Sequence, residues 1–268
     1  MEKVISIDLD GTLLYQNKEI PERTVKYLNS LIEKGFFLIL CSGRPYRSML
    51  KYASMFPEST PIISENGAYI GTIDKSYERE LKRFSKSTFL DMFIANKEII
   101  KNGYFSVGHY AYIYNRIPKL ESFYHIQEDT VVVNGPYDLI KNFEAPNGCM
   151  FVIDSKRRLE FEEYINNTKK ISFRCLGYDQ NNAVYEVSLS MVDKSIAIGR
   201  VLKHYGYSFN DLIAFGDGIN DLETLKLAHT SVAMSNAEKE LRDIADYITD
   251  YSCDEEGVYN FLINYIKS

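Results

Sequence analysis

A chain of 268 residues, 45% hydrophobic and 25% charged, can bury one sizeable core or two modest ones and lies far from disordered, collagen-like or coiled-coil compositions. A formal net charge of -6, with 31 lysines and arginines scattered along the chain, excludes the basic footprint that a nucleic-acid partner needs. No window approaches the roughly 20 apolar residues that span a bilayer. The first residues carry acids where a secretory leader would be basic and then apolar, so a cytoplasmic location without a membrane partner is expected. Cys41, Cys149, Cys175 and Cys253 form no paired metal or redox motif and read as reduced, mostly buried thiols.

The first third alternates short apolar runs with helix patterns. Val4–Ile7 reads as a strand, 21–34 as a helix, 36–40 as a second strand and the stretch from Pro45 as a second helix. Pro21 and Pro45 suit helix starts, Gly35 suits a helix stop, and the continuous run 36–40 suits a parallel strand buried on both faces. Asn66-Gly67, between Ile62-Ile63 and 68–70, reads as a hairpin or edge connection.

From about Leu81 to about Ser188 the rhythm changes. Strands are expected over 104–114, 131–133, 150–153 and 184–189, with a charged helix over 157–169. These are the marks of an inserted α/β unit. The parallel rhythm then resumes with a helix over 194–205, a strand over 212–215, a helix over 221–227 and a short strand near Val232. The fold class is α/β, a Rossmann-like doubly wound parallel-sheet core with an inserted α/β cap domain. Its expected divisions are residues 1–81 for the first part of the core, 82–188 for the cap and 189–268 for the second part of the core.

Three strands run into polar loops at the edge of the sheet where open α/β folds bind ligands. The first leads to Asp8-Leu9-Asp10-Gly11-Thr12, the second to Ser42-Gly43-Arg44, and a late one to Gly216-Asp217-Gly218-Ile219-Asn220-Asp221. Each has a bland alternative. Asp-Gly is a common turn, Ser42 could simply close a strand-helix connection, Asn220 with Glu223 looks like a helix cap, and Asp221 could be a first-turn acid. Lys194 is more telling, because it opens a helix where the dipole disfavours a cation; a nearby anion would explain it, and a solvated surface lysine is the alternative. Together these residue types suit phosphate transfer. A carboxylate approaching a phosphate dianion needs positive charge, and Asp8, Asp10 and Asp217 offer the oxygen ligands that Mg²⁺ prefers, while Lys194 and Ser42 could hold phosphoryl oxygens. A P-loop pattern is missing.

With those four segments in order, the chain resembles the haloacid dehalogenase superfamily over essentially its whole length, and within it the Cof-like phosphatases with a large inserted α/β cap (type IIB). The resemblance implies a phosphoric monoester hydrolase in which Asp8 is the nucleophile and Asp10 the general acid and then base. It implies Mg²⁺ held by the Asp8 side chain, the Asp10 backbone carbonyl and the Asp217 side chain, with Asp221 supporting that shell. It places the phosphate against Ser42, Lys194, Asn220 and the amides of Leu9 and Gly43. Residues 233–237 resemble the family's Gly-Asn-Ala segment, with Ser235 in the usual glycine position, which puts the local loop shape in question.

A small phosphorylated metabolite, in first place a sugar phosphate, is the expected partner. Tyr110, Tyr112 and Tyr114 alternate beside His109 and Arg116 in the cap, a stripe that suits sheet packing better than substrate contact. Two rival functions remain at this level. A sugar phosphomutase would return the phosphoryl group where a phosphatase releases it, and a non-catalytic sugar-phosphate-binding protein would need neither Asp8 nor Asp10.

Overall fold

The computed structural model describes residues 3–107, 110–119, 131–135 and 144–266. The chain divides into two compact units, one formed by Met1–Gly43, Met49–Arg79 and Asp193–Ser268, the other by Arg44–Ser48 and Glu80–Val192. Within the second unit the Arg47 guanidinium donates to Ser106 Oγ at 3.1 Å and lies over the Tyr104 ring.

The chain begins with β1 (Val4–Asp8), α1 (Glu22–Glu33), β2 (Phe37–Cys41), α2 (Tyr46–Ala53), β3 (Ile62–Ser64), β4 (Tyr69–Gly71) and β5 (Glu78–Glu80), all in the first unit except the start of α2, through Ser48, and the last residue of β5. The second unit contributes α3 (Lys86–Asn96), β6 (Ile100–Val107), β7 (Tyr110–Tyr114), β8 (Val131–Asn134), β9 (Gly148–Asp154), α4 (Arg158–Thr168), β10 (Ile171–Tyr178) and β11 (Asn182–Leu189). The chain then continues through α5 (Lys194–Tyr205), β12 (Leu212–Gly216), α6 (Leu222–Leu227), β13 (Thr230–Ala233), α7 (Lys239–Arg242), β14 (Tyr247–Ile248) and α8 (Gly257–Tyr265).

The first unit is built on an eight-stranded sheet in the order β14-β13-β12-β1-β2-β3-β4-β5, parallel from β14 through β3 and antiparallel at the β3–β4 hairpin. β1, β12 and β13 are buried along their whole length, as strands covered on both faces must be. From β1 the chain builds outward to β2 and β3, and later from the other side of β1 to β12, β13 and β14. The direction of growth therefore reverses at the β1–β12 pair, the switch point at whose carboxyl ends open α/β sheets bind ligands. The helices start and stop where the sequence signals are. α1 buries Thr24, Leu28 and Leu31 at helical spacing and ends as the amide of Gly35, at φ 91°, donates to the Ile32 carbonyl. α5 ends at Gly206, φ 80°, in the same manner.

The second unit is a six-stranded sheet in the order β10-β11-β9-β6-β7-β8, antiparallel except for β7–β8. Its core is aromatic, with Phe89 and Phe93 of α3 and Phe161 of α4 packed against Phe105, Phe151 and Tyr185 of the sheet. Residues 104–114, expected as one strand, fall instead in two antiparallel strands, β6 and β7; the uniform β propensity on both sides of Gly108 hides the break. Tyr112 is buried in this core and Tyr114 packs edge-on against Phe93, the sheet-packing role; His109 lies outside the described residues. Cys41, Cys149 and Cys253 are buried and Cys175 is exposed, all four as free thiols. Among the described residues no helix is long and apolar enough to cross a membrane.

Candidate active site

Three adjacent strands deliver the site. β1 ends on Asp8, β12 ends on Gly216 immediately before Asp217, and β2 ends on Cys41 immediately before Ser42. The loop after β1 turns at once, with the Leu9 carbonyl accepting the amides of Thr12, Leu13 and Leu14. Gly11 makes that turn at φ 80°, and a Cβ there would lie 2.1 Å from Asp217 Oδ2, so no other residue fits both the conformation and the space. Thr12 Oγ1 donates to Asp217 Oδ1 at 3.0 Å, joining loops 205 residues apart.

At the centre, Lys194 Nζ donates to Asp8 Oδ1 at 2.5 Å and to Asp221 Oδ1 at 2.7 Å, with the Lys194 side chain only 1% exposed. The solvated-lysine alternative is thereby ruled out, and the anion that its helix position calls for is a pair of carboxylates. Asp193 caps α5 by accepting the Ser195 amide at 2.7 Å, which fixes where Lys194 enters the site. Asp221 is doubly used: its Oδ2 also accepts the amides of Asp217 and Gly218, each at 3.3 Å, and a Cβ on Gly216 would come within 2.4 Å of the Asp221 Cβ. Asn220 is not a helix cap here, since α6 starts at Leu222 and Asn220 Nδ2 donates to Asn66 Oδ1 at 2.9 Å.

Asp8, Asp217 and Asp221 bring one ligand oxygen each to within 4.8 Å of one another. Burial pushes the Asp8 carboxyl well up despite Lys194, and the Asp221 and Asp217 charges add to the rise. Burial first, then Asp221, pushes Asp217 up to about 6. Burial alone would lower Lys194, but Asp221 and Asp8 outweigh it and push its ammonium up. Three carboxylates thus share one cation in a dry site, an excess of negative charge that a hard divalent ion with oxygen ligands would offset. The donor set fits such an ion.

The remaining expected residues lie around this cluster. Asp10 stands outside it, its carboxylate paired with Lys18 Nζ at 2.9 Å. Ser42 is buried at the end of β2, its amide donating to the Ile63 carbonyl, and Leu9 is fully buried. Gly43 follows Ser42 at the same sheet edge. Ser235 is accommodated in its loop, where its backbone amide donates a hydrogen bond to Thr249 Oγ1, while Asn236 donates to the Gly11 carbonyl at 2.7 Å and accepts from the Cys253 amide at 3.0 Å. Sequence reasoning did not single out Thr12 or Asn66 as site residues; their polar side chains mark them only once the strand order is known.

Known proteins similar to this chain place it in a family. A family of haloacid dehalogenase-like hydrolases matches residues 5–262. Over 98% of this chain and 97% of its own length, 5-amino-6-(5-phospho-D-ribitylamino)uracil phosphatase YitU of Bacillus subtilis is 27% identical, and the like-named YcsE of the same organism is 24% identical over 98% and 96%. A haloacid dehalogenase-like hydrolase from Bacteroides thetaiotaomicron superposes with a TM-score of 0.85 at 25% identity, covering 99% of this chain and 100% of its own. The subclass IIB sugar phosphatase BT4131 shares the fold at a TM-score of 0.77 and 22% identity, covering 98% of both chains. The family and the enzyme class expected from the four motifs hold: this chain belongs to the haloacid dehalogenase-like hydrolases.

Proposed function

We propose that this protein is a Mg²⁺-dependent phosphatase that hydrolyses phosphate esters of small metabolites, sugar and polyol phosphates in first place, through an aspartyl-phosphate on Asp8. The observation that carries the proposal is the buried Asp8 carboxylate, held by Lys194 within the Asp8, Asp217 and Asp221 cluster at the sheet's switch point.

In the first step an Asp8 oxygen forms a bond to phosphorus as the bond from phosphorus to the ester oxygen breaks. Asp10 lies two residues along the same loop and delivers a proton to that leaving oxygen. In the second step Asp10, now a carboxylate, takes a proton from water as the water oxygen bonds to phosphorus and Asp8 is released. Lys194 fixes the Asp8 carboxylate and carries positive charge to where the phosphoryl oxygens gather, and Ser42, Asn220 and the amides of Leu9 and Gly43 complete the grip. Bound by Asp8, Asp217 and the Asp10 carbonyl, with Asp221 in support, Mg²⁺ would supply the charge that offsets carboxylate–phosphate repulsion, about 4 kcal/mol per charge pair at 4 Å and an effective dielectric of 20.

The substrate class draws support from the relative YitU, named for a phosphorylated ribitylamino-uracil, a phosphate monoester of a polyhydroxylated small molecule. An acidic chain offers no long-range attraction to polyanions, so the reading takes a small phosphorylated metabolite as partner, in the cytoplasm, without nucleic acid or membrane. The test is release of inorganic phosphate with Mg²⁺ from a panel of sugar and polyol phosphates, nucleotides, a phosphopeptide and a 5′-phosphorylated oligonucleotide. Sugar or polyol phosphates should lead in kcat/KM. A tenfold preference for peptide or oligonucleotide would sink the substrate class, and transfer of phosphate back onto sugar without its release would mark a mutase.

A further inference from the structure

The Glu65-Asn66-Gly67 turn between β3 and β4 is not one of the four motifs, yet it touches three of the loops that carry them. All three residues have positive φ, at 50°, 55° and 105°. Glu65 bears a side chain in a left-handed region that such a residue occupies only when surrounding contacts hold it there, and Asn66 lies in the same region, which asparagine enters more readily.

Those contacts are specific. The Asn66 amide donates to the Ser42 carbonyl at 3.1 Å, at the end of β2. Asn66 Oδ1 accepts from Asn220 Nδ2 at 2.9 Å, in the loop after β12. A Cβ on Gly67 would lie 2.5 Å from the Asp193 carbonyl oxygen, so the turn's backbone is pressed against the residue that caps α5 and precedes Lys194. Ser42, Asn220 and Lys194 are the side chains assigned above to the phosphoryl group. One strained turn therefore sets the mutual register of all three.

We propose that Asn66 is a positioning residue of the phosphoryl site, acting mainly through Asn220; the proposal rests on the phosphatase reading above. A carboxamide nitrogen has two N–H donors. Giving one to Asn66 fixes the plane of the Asn220 amide and so the direction of the second, which is the one that can meet a phosphoryl oxygen. Asparagine suits position 66 on two counts, since it tolerates left-handed backbone better than other residues with a side chain and offers a neutral acceptor that does not repel phosphate.

The test is a double-mutant cycle of N66G and N220A, read as kcat/KM on a good phosphate monoester and as the Ki of inorganic phosphate with Mg²⁺. Asn66→Gly suits the left-handed backbone and removes the acceptor together with the rest of the side chain. It should lower kcat/KM about tenfold or more and raise KM and phosphate Ki together, while the melting temperature stays within about 3 °C of the parent. The double variant should be no worse than N220A alone within about twofold, because both changes remove the same contact. If the two losses multiply, or if N66G in an active enzyme matches the parent, the positioning role is overturned while the phosphatase reading stands. If the parent releases no phosphate from any substrate, the phosphatase reading itself fails and this role with it. Should N66G lose stability, the cycle on phosphate Ki, measured well below its melting temperature, still decides between shared and independent losses.

Discussion

Replacing Lys194 with methionine keeps an unbranched side chain one atom shorter and removes an ammonium whose side chain is 1% exposed and which is bound to Asp8 at 2.5 Å and Asp221 at 2.7 Å. At an effective dielectric of 20 each contact is worth about 6–7 kcal/mol of Coulomb attraction, most of it offset by the cost of desolvating the ions. The variant is decided by what remains, two buried carboxylates with Asp217 close by and their shared ammonium gone. Removing one partner of a buried pair costs about 3–5 kcal/mol. Each kcal/mol moves the melting temperature of a protein of this size by about 2–4 °C, so the metal-free variant should melt about 6–20 °C below the parent at pH 8. Protonation is the escape. Asp8 is already pushed up by burial and Asp217 to about 6, and without Lys194 both rise further. Their neutral forms relieve the repulsion, so the deficit should shrink as pH falls from 8 to 5.5. Thermal unfolding in chelator at the two pH values measures it. A deficit below about 0.5 kcal/mol at pH 8, or one that grows on acidification, would refute the claim that Lys194 holds these carboxylates together.

Asp8→Asn should abolish phosphate release, because an amide is a poor nucleophile, while its melting temperature in chelator at pH 8 stays at or above the parent's, since burial disfavours the charge that is removed. Residual turnover near the parent's level would reject the nucleophile. Asp10→Asn should slow turnover by roughly 10² to 10⁴, and an effect below threefold in stopped-assay phosphate release would remove the acid/base role. Mg²⁺ affinity, followed by calorimetry, should fall as pH drops through about 6, where Asp217 takes up its proton. The sign is opposite for the metal-free fold: Asp217 has a folded pKa above its unfolded one, so its stabilising contribution is present at low pH and lost as pH rises through about 6. A pH-independent affinity between 5 and 7.5 would count against Asp217 as a ligand. Gly11→Ala forces a methyl to 2.1 Å from Asp217 Oδ2 at φ 80°, with a backbone cost of roughly 1–3 kcal/mol, and should lose Mg²⁺ binding before it loses the fold.

Much of the first unit was legible because its signals are local. Val4–Ile7 is a short run broken only by Ser6, Phe37–Cys41 is continuously apolar, and the helix at Lys194–Tyr205 is bounded by Asp193 and Gly206, a cap and a left-handed stop. The elements that sequence reasoning missed carry weak local signals. β10 is an edge strand whose side chains are mostly exposed after Ile171, and its alternation of Ile171, Phe173 and Cys175 with Ser172 and Arg174 breaks at Leu176-Gly177, which leaves a short signal. β14 is only two residues long, and its place at the sheet edge follows from pairing with β13. In α3, Phe89, Leu90, Met92, Phe93 and Ile94 leave little polar contrast around the helix, which hides its period; Ser85, which caps it by accepting the Thr88 amide, is the cue that was there to use.

The site divides along the same physical line. Which residues do chemistry could be read locally, because carboxylates at strand ends and a cation at a helix start are each out of place for purely structural reasons. How they are held could not, because the holding contacts join distant segments: Thr12 to Asp217, Asn220 to Asn66, Asn236 to Gly11. These contacts depend on the strand order β13-β12-β1-β2-β3, which similar short apolar runs leave unspecified. The consequence for Asp221 is concrete. As a first-turn acid it would stabilise a helix and nothing more, yet once β12 is set beside β1 the same carboxylate holds Lys194 with one oxygen and its own loop with the other. Asp8 and Asp217 are then the carboxylates with most freedom to meet a cation, and Asp221 sets the charge and shape of the space between them.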